Sequence, residues 1–253
     1  MTAAADILSE KGDAGAIGDA ASVVTLNRLG RTSRILNEIN EQFVALAGAA
    51  HRPVLDIGCA TGVVALAALE TGARVIACDV SNDHLDAVAA AGGDGLSVDA
   101  RRFPDALDFP GGSIAHVHAC NLLNFLTGPE IERGMRLIAD WLEPGGMFLS
   151  MSGTPYARNV APFIPAYEAR RAAGERWPGL CDDIHALSGD PTLRELPDML
   201  HLLDPDVLAR SARVAGLEVA EARFIHRRNT PGYIAWDGRE NVILIARKGV
   251  NTV

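Results

Sequence analysis

VLDIGCATG, residues Val54–Gly62, is an apolar run that ends in an aspartate and turns at once through Gly58, Ala60 and Gly62. Four apolar-rich residues followed by a glycine-rich turn and a second apolar stretch over 63–71 predict a buried strand, a tight turn and a helix. A strand that feeds a helix in this way is the repeating unit of parallel sheets. Its turn presents backbone N–H groups and a helix N-terminus beside the strand ends, where ligands of such sheets bind.

The same rhythm continues downstream. Strands are expected over 74–78, 95–98, 114–120 and 147–151, separated by helices over 84–91 and 129–142 and by a Pro144-Gly145-Gly146 turn. After an interruption, a helix over 205–215 leads into strands over 217–225 and 241–246 with no helix between them, so these two should pair antiparallel at one edge. The expectation is an α/β fold: a doubly wound, Rossmann-like, mostly parallel seven-stranded sheet with an antiparallel last strand, plus a helical lid.

Two stretches stand apart from that rhythm. Residues 1–50 should form an N-terminal lid segment, with 1–20 too poor in apolar pattern to order alone and 24–47 carrying Leu26, Leu29, Leu36, Ile39, Phe43 and Leu46 at helical spacings. Residues 51–253 should be the core, interrupted at about 152–203 by a proline-rich insertion holding many of the aromatic side chains. That insertion is the candidate lid.

Composition narrows the partners. The chain has 253 residues, with 23 Lys and Arg against 32 Asp and Glu, a formal net charge of −9, so no broad positive field exists for a nucleic acid backbone. The apolar runs are too short to span a bilayer, and no basic leader precedes one. Cys59, Cys78, Cys120 and Cys181 are scattered without a CxxC pair, as expected of reduced thiols in a cytoplasmic protein. A monomer or homodimer acting on a small molecule, with neither nucleic acid nor membrane as partner, fits these features.

The turn also discriminates between ligands. A dinucleotide fingerprint would place glycine at positions 58, 60 and 63, where this chain has Gly58, Ala60 and Val63, which argues against NAD. Asp79 at the end of the second strand could accept ribose hydroxyls, and Asp99 at the end of the third could take an adenine amino hydrogen. Acids at strand ends suit a cationic nucleoside better than a pyrophosphate.

With these residues the chain resembles the class I S-adenosylmethionine-dependent methyltransferases. The resemblance runs from about Pro53 to Ser152, including HACNLLNFL and LEPGGMFLS, and extends to the ending ENVILIARK. It implies S-adenosylmethionine as cofactor and S-adenosylhomocysteine as product. By position, it implies cofactor contacts from Asp56, Gly58, Cys59, Ala60, Gly62, Asp79, Val80, Asp99, Ala100, Asn121 and Leu122. Ala60 departs from the glycine commonest there.

No catalytic residue is implied, because methyl transfer from a sulfonium releases a neutral thioether and depends mainly on alignment. His116 and His118 read as satisfied core histidines, and Asp182, Asp183 and His185 as a solvated turn or substrate contact in preference to a metal site. In the insertion, Tyr156, Arg158, Tyr167, Arg170 and Trp177 are the candidate substrate contacts, suggesting a small acidic or aromatic acceptor methylated on O, N or S. The alternatives are a methyltransferase acting on a protein side chain or C-terminus, and a non-catalytic nucleoside-binding protein.

Overall fold

The computed structural model describes residues 19–250, so expectations for residues 1–18 lie outside the described residues. The central sheet has seven strands, β3 (Val54–Ile57), β4 (Val75–Cys78), β5 (Leu96–Asp99), β6 (Ile114–Cys120), β7 (Leu142–Gly153), β10 (Leu217–Ile225) and β11 (Asn241–Lys248). Their order across the sheet is β10-β11-β7-β6-β3-β4-β5, and only β11 runs antiparallel to its neighbours. Because no helix lies between β10 and β11, the chain returns as a hairpin and β11 slots between β7 and β10.

Helices cover both faces. On one face α4 (Gly128–Trp141) and α7 (Pro205–Val214) bury Ile131, Met135, Ile138, Trp141 and Leu208 against Leu55, Val117, Phe148 and Leu244. On the other, α1 (Glu38–Gly48), α2 (Val63–Glu70) and α3 (Asn82–Ala91) bury Phe43, Ala65, Ala68 and Val88 against Val54, Val75, Leu149 and Ile243. All four β3 residues are buried, as a strand covered on both sides requires, and the run is apolar except for Asp56, which is paired with His118.

The structure corrects the expected helical reading of the segment before α1. Residues 22–33 form a hairpin of β1 (Ser22–Val24) and β2 (Arg31–Ser33), and helix begins only at Glu38, where Asn37 and Asn40 form a capping box. The leucine spacing was helical, but β-branched Val23, Val24 and Thr32 flank a turn in which Arg28 and Gly30 both take positive φ. Local turn chemistry overrides the apolar period.

The insertion after β7 is also less helical than expected. A 3-10 turn (Arg158–Phe163) leads into α5 (Ile164–Ala172), then a small antiparallel pair of β8 (Leu180–Cys181) and β9 (Leu200–His201) flanks the one-turn α6 (Ile184–Leu187). Its own core of Phe163, Tyr167, Ile184, Leu193 and Leu200 packs beyond the strand ends. Among the described residues, no helix is long and apolar enough to cross a membrane.

Candidate functional site

Three residues with left-handed backbone shape the turn after β3: Gly58 at φ 75°, Ala60 at 46° and Gly62 at 77°. The N–H groups of Gly58 and Cys59 both donate to the Cys78 carbonyl, pinning the turn to β4. A Cβ on Gly58 would stand 3.3 Å from Leu122, so glycine serves both backbone and space. The Ala60 N–H donates to Oδ2 of Asp79 at 3.0 Å, and the Ser81 N–H to its Oδ1 at 2.9 Å. Each oxygen therefore keeps capacity for a hydroxyl donor.

Beneath the turn lies a small polar chamber of about 60 Å³, bordered by Asp56, Asn40, Cys59, His118, Cys120 and Arg227 among others. Asp56 and His118 are partners across β3 and β6, and Oδ1 lies 2.7 Å from Nδ1 with both side chains sealed from water. Asn40 meets the other ring nitrogen at 3.3 Å, and Phe43 packs against the ring. Burial opposes charge on His118, but Cys120 and Asp56 outweigh it and hold its pKa above the usual imidazole range. Oδ2 of Asp56 is buried and has no protein partner. Burial first, then the charges of Asp56 and Asp79, push the Cys59 thiol up and keep it protonated.

Above the chamber opens a cavity of about 450 Å³. One end is bordered by Gly58, Ala60, Asp79, Val80, Asn121 and Leu122, and the other by Phe125, Val160, Leu193, Leu196, Leu200 and Ile234. The β1–β2 hairpin forms a wall: Leu26 N–H donates to Nε2 of His84 at 3.0 Å, and Ser22 Oγ meets the Tyr233 hydroxyl at 3.0 Å. Nδ1 of His84 lies 3.1 Å from Oδ1 of Asp79, close but outside hydrogen-bond alignment, so hairpin and strand-end acid share one imidazole. The segment between β10 and β11 completes the wall. Its Glu240 is wholly buried; burial works against the charge, yet the N–H groups of Gly238 and Trp236 and the His226 ring more than offset that and hold its carboxyl below the usual range.

Residues 54–146 match the model of a family described as "Methyltransferase domain". That match spans the glycine turn, Asp79 and the parallel strands β3 to β6. Over these residues the chain is similar to that methyltransferase domain family. Similar solved structures include the CcbJ methyltransferase from Streptomyces caelestis (24% identity, 83% of this chain and 89% of that one, TM-score 0.58). Another is the Burkholderia thailandensis 1,6-didemethyltoxoflavin-N1-methyltransferase (17% identity, 84% and 79%, TM-score 0.57), solved with bound 1,6-didemethyltoxoflavin and S-adenosylhomocysteine. A third is an S-adenosylmethionine-dependent methyltransferase from Mesorhizobium loti (18% identity, 83% and 97%, TM-score 0.58). At these identities the likeness is one of fold. A comparison with curated proteins gives no match.

The residues of the site fit S-adenosylmethionine. Asp79 faces the cavity with spare acceptor capacity, and Asp56, whose buried Oδ2 has no protein partner, borders the adjoining chamber, so the two carboxylates offer acceptors suited to ribose hydroxyls and an ammonium group. Of the eleven expected cofactor contacts, Gly58, Ala60, Asp79, Val80, Asn121 and Leu122 border the cavity, and Asp56 and Cys59 the chamber. Gly62 borders neither and serves the turn, where a Cβ would meet Val88 at 2.5 Å. Asp99 and Ala100 also stand outside. Arg101 takes the Asp99 carboxylate in a paired contact and holds its pKa down, and Arg101, Arg102 and Phe103 border the cavity in their place.

None of the five expected substrate contacts in the lid borders the cavity. The Tyr156 hydroxyl binds Glu168, and its ring lies under Arg239 at 3.6 Å. Tyr167 is buried and donates to Asp204 at 2.9 Å, while Arg170 donates to the Leu180 carbonyl and Arg158 to the Ala235 carbonyl. Trp177 packs against His201 and sits so close to Gly128 that a Cβ there would overlap its ring. These side chains build the lid. Their neighbours Ala157, Asn159 and Val160 face the cavity instead.

The remaining sequence candidates have structural duties. Nδ1 of His116 accepts the Met147 N–H at 3.2 Å, Asp183 caps α6 and Nε2 of His185 meets the Leu196 carbonyl. The sequence reading missed Thr25, Asn27 and Thr32 of the hairpin, and Arg227, Tyr233 and Asn241, all of which border the cavity. A run of HRRNTPGY between two strands that need only a short turn was the available signal, since a long polar connection is a common place for binding groups.

Proposed function

We propose that this methyltransferase acts on an oxygen, nitrogen or sulfur atom of a small acceptor with an apolar or aromatic body, lying under the lid formed by the 22–33 hairpin and the insertion after β7. The carrying observation is the single cavity of about 450 Å³ that joins the glycine turn and Asp79 to the apolar wall of Phe125, Val160, Leu193 and Leu196. Its volume is of the size that holds a small ligand, and its apolar end suits a ring better than a polypeptide segment. The toxoflavin-precursor methyltransferase of similar fold supports a small-molecule acceptor. Cytoplasmic residence is part of the same reading.

When bound, S-adenosylmethionine supplies a methyl group on a positive sulfonium whose departure as a neutral thioether needs no proton. In this reading Asp79 holds the ribose, Asp56 faces the ammonium, and Val80 and Phe103 enclose the base. Asn121 and Leu122, at the end of β6, stand beside the reacting end, with Asn121 fixed at φ 55° by its N–H bond to the Met151 carbonyl. The hairpin and lid exclude water and align the acceptor, and alignment of this kind can lower a barrier by roughly 7 to 11 kcal/mol. The cavity's His84 and Tyr233 are both engaged with the hairpin, so no side-chain base is assigned.

Titration calorimetry with S-adenosylmethionine, S-adenosylhomocysteine and NAD tests the donor half. Binding of the two adenosyl ligands without NAD is expected, and silence from both sinks the reading. The acceptor half is tested by incubating the loaded protein with aromatic and heteroaromatic acids, amines and thiols and following methylation by mass spectrometry. Methylation of peptides alone would favour the protein-acceptor alternative.

A further inference from the structure

Four arginines border the cavity, and three of them are already engaged. Arg31 binds Glu195 and the Ser22 carbonyl, Arg101 binds Asp99, and Arg102 binds Asp105 and Glu130. Arg227 is different. Among the described residues its guanidinium has neither an ion pair nor a hydrogen bond, and its Nε is sealed from solvent without a partner. Glu38 feels its charge but stands beyond ion-pair distance, with Oε1 given to Arg228.

Position sharpens the contrast. Arg227 follows the end of β10 by two residues and borders both the main cavity and the small polar chamber. It therefore stands at the seam between the two. Asn241, paired in register with Ile225 and Gly153, borders the main cavity with a buried and unpartnered Oδ1. A desolvated cation with no counter-charge is costly to keep, and burial lowers the Arg227 pKa accordingly. A planar guanidinium fork matches a carboxylate in two parallel hydrogen bonds, and a half-buried cation at a ligand cavity, with its Nε sealed from water, gains from such a partner.

We infer that Arg227 is the receptor for a ligand carboxylate at the seam of the two chambers. Two sources share that chemistry, the amino-acid end of the donor and an acid group on the acceptor, and Asn241 would then take a polar donor on the acceptor beside it. The inference rests on the donor reading above.

The test uses the whole chain, wild type and the variants Arg227→Met and Arg227→Lys, with S-adenosylhomocysteine, 5′-methylthioadenosine, benzoate and benzamide as calorimetric probes. Failure of the wild type to bind S-adenosylhomocysteine would strike the donor reading itself, separately from Arg227. With that binding present, an Arg227→Met loss of about tenfold to a hundredfold for S-adenosylhomocysteine, but not for 5′-methylthioadenosine, supports the donor carboxylate. Unchanged S-adenosylhomocysteine affinity with loss of benzoate, but not benzamide, from the loaded protein supports the acceptor carboxylate. Arg227→Lys keeps the charge without the fork and is expected to retain part of the affinity. Equal weakening of S-adenosylhomocysteine and 5′-methylthioadenosine, or no difference between wild type and Arg227→Met for any probe, overturns the inference and leaves Arg227 a structural group. Circular dichroism of each variant separates lost binding from lost fold.

Discussion

The Ala60 N–H donates to Oδ2 of Asp79 at 3.0 Å, so the turn after β3 holds the acid that follows β4. Turn and acid are one unit. Asp79→Asn keeps the side chain's shape but lets it accept only through one oxygen, so one of the Ala60 and Ser81 N–H groups loses its partner. S-adenosylhomocysteine affinity should fall about tenfold to a hundredfold with the fold retained. Unchanged affinity in calorimetry would remove the ribose role from Asp79.

Ala60 sits at φ 46°, a conformation that costs an L-residue about 1 to 2 kcal/mol and glycine little. Against that relief, Ala60→Gly adds freedom to the unfolded chain worth about 0.4 to 1 kcal/mol. The variant should be as stable as the wild type or up to about 1.6 kcal/mol more stable, with donor affinity kept. A clear drop in Tm would show that the methyl group packs usefully.

His84 links the hairpin to Asp79 through Leu26. His84→Phe fills a similar space but offers the Leu26 N–H no acceptor. Hydrogen exchange over residues 22–33 should quicken in this variant while exchange in the β3–β6 core stays unchanged. Equal protection in both proteins would mean that the hairpin is held by its Ser22 and Arg31 contacts alone.

The Tyr167 hydroxyl donates to Asp204, which also caps α7 by accepting the Val207 N–H. Removing that donor by Tyr167→Phe leaves one oxygen of a buried carboxylate short of a partner, at a cost of about 1 to 3 kcal/mol. Thermal melting should show the loss, while S-adenosylhomocysteine affinity and, for any acceptor found, KM stay unchanged. A raised acceptor KM at unchanged Tm would return Tyr167 to the substrate site.

His201 is wholly buried, and desolvation pushes its pKa down to about 4 from an ordinary 6.5. A depressed pKa means that its neutral form is stable when folded, so this contribution is fully present above pH 6.5 and is lost as pH falls toward 4. The loss is on the order of 3 kcal/mol across that interval. His201→Phe keeps a ring against Trp177 and removes the titration, so its melting temperature should fall less steeply than that of the wild type between pH 6.5 and 4.5. Parallel slopes would assign the acid sensitivity to other groups.

The residues legible in advance were those whose roles are local. Gly58 and Gly62 announced positive φ, the continuous apolar runs announced doubly covered strands, and the absence of a helix between 225 and 241 announced the antiparallel ending. The position of Asp99 at a strand end was readable, but its capture by Arg101, two residues on, was not. The hairpin at 22–33 was missed because leucines at spacings of three and seven imitate a helix when they occur in a turn.

By itself, then, the sequence determined the parallel sheet, the turn and the strand-end acid Asp79, because φ preferences and strand or helix periods act between neighbours in the chain. Only the tertiary structure decided which side of each lid residue meets the cavity. Helical spacing groups Val160, Phe163 and Tyr167, yet Val160 faces the cavity while Tyr167 turns to Asp204, a partner 37 residues away. It also decided that Arg227 would be left without a partner. Whether a buried charge is compensated depends on every group that packing brings within a few ångströms, and that set is fixed by long-range contacts, not by spacing along the chain.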